Sequence, residues 1–479
     1  MPSRSAPARP VPAPGSPALR ARRARALALS LAGLAALTWI RVAWLGTLVV
    51  DRVGTPWSYG VLGAAWLALA AVAARAYLAA ADEGGASLRP LLAGALALQL
   101  AVALALPYTS NDLFSNLAYG RMSALGLDPY AAGPATLPAG DPFRALVSPN
   151  WIGAPTAYGP LLTALNALAG RAGSVPAAMA LFKVVLLATA VATVLAAHAV
   201  CRRHLAPERA APAFVLLAWN PLLAWEIAGQ VHNDGVMLLA LTAFVGAALA
   251  GRHLLAVLLL SIGFWTKFAV APVLGLYLAY LARGSRARAA LGVAIAAVTG
   301  ALLFLPYWDG PASLAGPLSA LRADPGRTTR SFTEIAALLG GLWSPSAAAW
   351  AYRLGWGAGV ALLAALAVRA VRRARTVEAV LHESLVFLLA YLLVASPFVQ
   401  PWYLTWLLPL ALVEADPRWR RAVALYAALT LVAWGVDVPP LQVLAVNVPV
   451  LAYLRRAFRR PAAAPAAEPA IEAHPSVAA

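Results

Sequence analysis

An acid stands at the mouth of a long polar, proline-punctuated segment, Pro107-Tyr-Thr-Ser-Asn-Asp112-Leu-Phe-Ser-Asn-Leu-Ala-Tyr-Gly-Arg121, which follows directly on an apolar run. Beside a hydrocarbon phase a carboxylate is costly to desolvate, so it tends to carry a chemical or ionic task. The chemistry open to Asp112 is that of a general base, taking a proton from a sugar hydroxyl as that oxygen becomes a nucleophile. Helix capping accounts for it as well: Ser110 or Asn111 can cap a short helix whose positive end favours Asp112. The two roles are compatible, because a capped helix fixes the carboxylate in place.

Three further groups of residues could do chemistry. Glu226-Ile-Ala-Gly-Gln230-Val-His232-Asn233-Asp234-Gly235 places an acid, a histidine, an amide and a second acid within about two helical turns. Asn233 or Asp234 capping the next helix explains one of them. Together they could hold sugar hydroxyls, assist proton transfer or coordinate a hard cation. Glu226 falls inside the expected membrane boundary and should be paired or functional. The only lysines, Lys183 and Lys267, both lie in apolar segments; either could snorkel, and an ammonium there also suits a lipid phosphate. Arg322, Arg327 and Arg330 cluster in one loop, where guanidinium groups are suited to bidentate contact with a phosphate leaving group. Finally, Ser396-Pro-Phe-Val-Gln400-Pro-Trp402-Tyr403 is a turn with two prolines, an amide and aromatics of the kind found at membrane interfaces.

The elements that position these residues follow from composition. Of 479 residues, 62% are hydrophobic and 12% charged, with mean hydropathy +0.74, which excludes an ordinary soluble chain and implies an all-α polytopic membrane protein. A single cysteine excludes a disulfide framework or cysteine-rich metal site, and the six histidines lack zinc spacing. Net charge is +18, but the arginines sit in short clusters between apolar runs, a pattern of membrane topology rather than of nucleic-acid binding.

Apolar runs predict about fourteen spans, near 26–48, 58–75, 90–106, 176–198, 211–228, 234–250, 253–266, 267–282, 288–306, 347–368, 380–398, 401–414, 420–436 and 439–455. With these, the clusters at Arg20–Arg25, Arg202–Arg203, Arg283–Arg288, Arg369–Arg375, Arg418–Arg421 and Arg455–Arg460 all fall on one side, read as cytoplasmic together with both termini. The run 158–169 is then an interfacial helix rather than a span. Basic and proline-alanine tails are expected to be disordered over 1–25 and 458–479, flanking a membrane domain over 26–457, and neither reads as a cleaved signal peptide. The long segments 107–175 and 306–346 lie outside, and nearly every polar cluster that is not an arginine anchor gathers on that face.

These motifs resemble the membrane-embedded GT-C glycosyltransferases, most closely the polyprenol-phosphate-mannose-dependent alpha-1,6-mannosyltransferases that build lipomannan-type polymers. The likeness runs through Asp112-Leu-Phe-Ser-Asn-Leu-Ala-Tyr-Gly120, Gly126-Leu-Asp-Pro-Tyr130, Tyr158-Gly-Pro-Leu161, His232-Asn-Asp234 and Gln400-Pro-Trp-Tyr403, over most of residues 100–410. The resemblance implies a catalytic base at Asp112, in the first large outer loop. It also implies a polyprenyl-phosphate sugar donor, a glycan or glycolipid acceptor, and transfer with inversion at the anomeric carbon. Asn111, Tyr119 and Tyr158, in or beside these motifs, join Glu226, His232, Asn233, Asp234, Lys267, Arg322, Arg327, Arg330, Gln400, Trp402 and Tyr403 as the expected substrate-contacting set. No cofactor is required, although Asp234 and Glu226 leave a divalent cation open. The competing reading is a transporter or flippase of a lipid-linked sugar, which should carry functional polar residues at mid-membrane and on both faces. No internal repeat of the kind common in such carriers is visible.

Overall fold

The computed structural model describes residues 16–45, 56–82, 86–107, 110–319, 329–436 and 438–459. Regular structure among them is helical, and the one β-type contact is an isolated bridge between Thr329 and Phe398. Seven helices are long and apolar enough to cross a membrane, from Pro17–Trp44 to Val377–Ala395. The runs expected as spans near 90–106, 234–250, 253–266 and 267–282 appear as shorter apolar helices of 10 to 17 residues. At about 1.5 Å per residue, helices of that length fall short of a hydrocarbon core about 30 Å thick.

The helix boundaries follow local chemistry. Proline opens many of them, including Pro160–Gly170 and Pro345–Arg373, where its missing N–H has no intrahelical partner to lose. Serine or threonine caps others: Ser174 Oγ accepts from Ala177 N, Ser331 Oγ from Glu334 N and Thr376 Oγ1 from Ala379 N. The first described helix begins at Pro17, so Arg20, Arg22, Arg23 and Arg25 ride on its opening turns, ahead of the boundary expected at residue 26. The last runs to Arg459.

The segment Pro207–Gly229 is the most enclosed of the long helices, with 94% of its apolar window buried. Around it the main core gathers Trp66, Tyr77, Leu98, Phe214, Trp225, Phe244 and Tyr426. A second, smaller core lies apart: Leu113, Leu117, Tyr119, Met122, Leu137, Phe143, Leu162 and Phe182. Over 110–175 the polar segment is therefore a folded unit seated on the helix Val175–His204. Its two helices, Asp112–Ala124 and Pro160–Gly170, meet backbone to backbone. A Cβ on Gly120 would collide with the carbonyl of Asn166, and one on Gly170 with the Gly120 peptide. Only glycine permits that approach. Pro160–Gly170 thus packs directly beside the helix that carries Asp112.

Candidate active site

Asp112 occupies the first turn of Asp112–Ala124, and its backbone N–H donates to Ser110 Oγ at 3.0 Å. Ser110 thus closes a turn just ahead of the helix, while Asn111, buried at the N-cap position, makes no side-chain cap bond, so the expected cap is not formed. The Asp112 carboxylate is half-buried and forms no ion pair among the described residues. Its charge acts on the phenols of Tyr158 and Tyr403.

Beside it lies a second acid in a different state. Asp234, fully buried, accepts from Lys267 Nζ through both oxygens at 2.9 Å and from Trp406 Nε1. Lys267 stands at the break between His253–Phe264 and the turn Phe268–Val270, and its side chain is only 12% exposed. Three aromatic faces box it in: Tyr403 at 4.8 Å, Trp406 at 5.3 Å and Tyr158 at 5.6 Å. Tyr158 reaches this point because its loop is stitched to the same break, Gly159 N donating to Thr266 O at 3.0 Å and Leu161 N to Trp265 O at 3.2 Å. Burial pushes the Tyr158 phenol well up, the Asp112 carboxylate adds to this, and a hydrogen bond from Asn233 opposes it.

Glu226 is fully buried, and one of its two carboxylate oxygens is hydrogen-bonded. Its Oε1 accepts from Trp434 Nε1 at 2.8 Å, and Oε2 lies 2.9 Å from His232 Nδ1. The His232 ring stacks on Trp402 with centroids 3.6 Å apart. Glu226 sits in a π-helical turn, Ala224–Gly229, and Val231 follows with φ of 66°, a conformation unusual for a β-branched residue. Such local strain persists only where its surroundings enforce it. Here the surroundings include Lys183, whose Nζ donates to Ala105 O at 2.6 Å and Gly229 O at 2.8 Å, and Gln230, which donates to Leu106 O at 3.2 Å. Lys183 ties the turn to the entrance of the 107–175 segment.

Arg330 forms the far wall. Its Nη1 donates to Gln400 Oε1 at 3.0 Å and its Nε to Gln442 Oε1 at 2.6 Å, and the guanidinium lies 4.8 Å over the Trp434 ring. The Thr329–Phe398 bridge, with Thr329 N donating to Pro397 O and Val399 N to Thr329 O, sets the two loops side by side. Arg322 and Arg327 lie outside the described residues. Tyr119 is buried and donates to Ala154 O at 2.9 Å, a bond that shapes the loop leading to Tyr158.

The model of one protein family, described as "Alpha-(1->6)-mannopyranosyltransferase, N-terminal domain", matches residues 24–283. The chain belongs to this family. That range carries Asp112, Tyr158, the Glu226–Asp234 cluster and Lys267. Among curated family members, the chain is 30% identical over 168 residues to alpha-(1->6)-mannopyranosyltransferase A of Mycobacterium tuberculosis, covering 34% of this chain and 31% of that protein. It is 28% identical over 348 residues to alpha-(1->6)-mannopyranosyltransferase B of Corynebacterium glutamicum, covering 65% and 56%. The chain thus spans about half or less of the length of these relatives. No solved structure matches.

Within this family member, several residues at the site escape sequence reading. Trp406, Trp434, Gln442 and Glu334, whose Oε2 accepts from Arg330 N at 2.6 Å, complete the polar contacts. Glu334 lies 4 positions from its partner, Gln442 112, Trp406 172 and Trp434 208, and the tryptophans read as ordinary interfacial aromatics. Among the described residues no group of three or more His, Cys, Asp or Glu side chains could hold a metal ion.

Proposed function

We propose that the chain transfers mannose from a polyprenyl-phosphate donor to a glycan or glycolipid acceptor on the extracytoplasmic face, with Asp112 as the base. One observation carries the assignment of the base. Of the carboxylates gathered here, Asp234 is fully buried and bonded through both oxygens, Glu226 is fully buried and bonded through Oε1, and Asp112 alone is half-buried, with no ion pair among the described residues. Family membership supports the sugar, and the outward gathering of polar clusters by the arginine pattern supports the face.

In this reading an acceptor hydroxyl gives its proton to Asp112 as its oxygen attacks the anomeric carbon. The bond from that carbon to the phosphate oxygen breaks, polyprenyl phosphate departs, and the configuration inverts. Tyr158, Asn233, His232 and Trp402 contact sugar hydroxyls and ring faces. The Lys267–Asp234 pair carries no net charge and fixes Tyr158 and Tyr403, so stabilising the departing phosphate falls chiefly to Arg330 and its loop.

Membranes containing the chain, supplied with radiolabelled polyprenyl-phosphate mannose, should pass label into a lipid-linked or envelope glycan. Equal transfer from glucose or arabinose donors would overturn the choice of sugar. Movement of intact donor across the membrane without transfer would favour the flippase reading instead.

A further inference from the structure

Away from this site, basic side chains line a cavity of about 480 Å³ without a carboxylate among them. They arrive from four helix ends. His253 opens His253–Phe264, and Tyr280 and Arg283 stand near the close of Ala271–Gly284. Arg288 lies in the first turn of Arg286–Phe304, and Arg375 follows Pro345–Arg373. His253–Phe264 is 12 residues long, so the cavity lies about 18 Å from the Lys267 break at its other end.

Arginines at span ends serve topology, but these do something that role does not call for. Arg286 and Arg288 occupy the positive end of their own helix, where acids are favoured, and no acid stands in that turn. Arg283 is held by the Val371 carbonyl, which brings the end of Pro345–Arg373 and hence Arg375 to the cavity. Arg288 and Arg375 have no ion pair among the described residues, while nearby Glu383 is already engaged by Arg369 and Arg373. His253 Nδ1 is taken by the Tyr277 hydroxyl at 2.9 Å, leaving Nε2 for a ligand. Like charges gathered in a concave, acid-free site repel one another until an anion enters.

We propose that this cavity binds a phosphate-bearing anion, in the first place the phosphodiester head group of an anionic membrane lipid. Guanidinium groups match phosphate oxygens in geometry and charge, and basic pockets between membrane helices are suited to such head groups. The lipid source is favoured by the helix surfaces running away from the cavity. Leu254, Leu255 and Leu258 on one helix and Leu291 and Val293 on another are exposed, an apolar track for acyl chains. The inference is independent of the reaction proposed above.

The test uses the full chain in neutral detergent with mixed phosphatidylcholine and phosphatidylglycerol, counting bound lipid by native mass spectrometry. The wild type should retain phosphatidylglycerol over phosphatidylcholine. The double variant Arg288→Gln/Arg375→Gln should lose that preference by roughly 30-fold, from the attraction of two basic residues. Arg202→Gln/Arg203→Gln, exposed at the end of Val175–His204, should keep it. Equal losses in the two double variants, or no preference in the wild type, would overturn the proposal. A parallel arm with sodium phosphate separates the sources: displacement of the lipid by millimolar phosphate would support the anion site but assign it to a soluble phosphate. Unchanged thermal unfolding of both variants shows that any loss belongs to the cavity and not to misfolding.

Discussion

Lys267 holds Asp234 through both carboxylate oxygens at 2.9 Å, and that contact gives Asp234 an environment different from that of Asp112. The Asp234 oxygens accept from an ammonium and an indole N–H, whereas the half-buried Asp112 carboxylate forms no ion pair among the described residues. Two groups that differ this much in environment are suited to different tasks.

Asp112→Asn should therefore preserve folding and remove catalysis. A lost general base lowers the rate by about 10²- to 10⁴-fold. The measurement is transfer of radiolabelled mannose by membranes with matched expression of the two proteins. Activity near that of the wild type would remove Asp112 from the mechanism.

The Lys267–Asp234 pair should behave as a buried unit. Either Asp234→Asn or Lys267→Met alone leaves a partner without its counter-charge, at a cost of about 3–5 kcal/mol. The double substitution should recover much of that loss, because no stranded charge remains. Thermal unfolding of the four proteins in detergent reads the coupling, and simple additivity would show that the pair is not one.

Gly120→Ala tests the positioning of Asp112 at a distance. The new methyl group meets the Asn166 carbonyl and must push Pro160–Gly170 away, an overpacking worth about 1–3 kcal/mol. Limited proteolysis should cut the 107–175 segment sooner, and transfer should fall although no reacting group has changed. Wild-type protection and activity together would show that the backbone contact does not set the site.

Tyr158 fixes a feature of the pH profile. Its folded pKa is raised, first by burial, so the phenol stays protonated through about pH 10 and remains a donor. The sign follows: the stability tied to this shift is present below the ordinary tyrosine value and is lost as pH rises through the higher folded one. Tyr158→Phe should raise the KM for sugar yet leave the alkaline limb of the rate profile where it was. A shift of that limb would mean that Tyr158 itself titrates during turnover.

Much of this site is legible in the order of the amino acids alone. Composition marks a helical membrane protein, and the clusters at Asp112, Tyr158, Glu226–Asp234, Lys267, Arg330 and Gln400–Tyr403 do converge. What sequence leaves open is who partners whom. Lys267 reads equally as a snorkelling residue or a phosphate ligand until Asp234 is seen beneath it, 33 positions away. Trp434 reads as one more interfacial ring, yet its N–H holds Glu226 across 208 positions. Lys183 turns out to staple two carbonyls rather than face a ligand. These choices depend on helix rotation and depth, which an alanine- and leucine-rich pattern specifies weakly because every face is apolar.

The bridge between Thr329 and Phe398, the one β-type contact among the described residues, joins two distant stretches of chain. Arg330 is thereby set beside Gln400, and just beyond it Trp402 lies against the His232 ring. Arg330, Gln400 and the Trp402–His232 stack thus share one backbone framework, so a change at any of them reaches the others through two hydrogen bonds and a stacked ring pair.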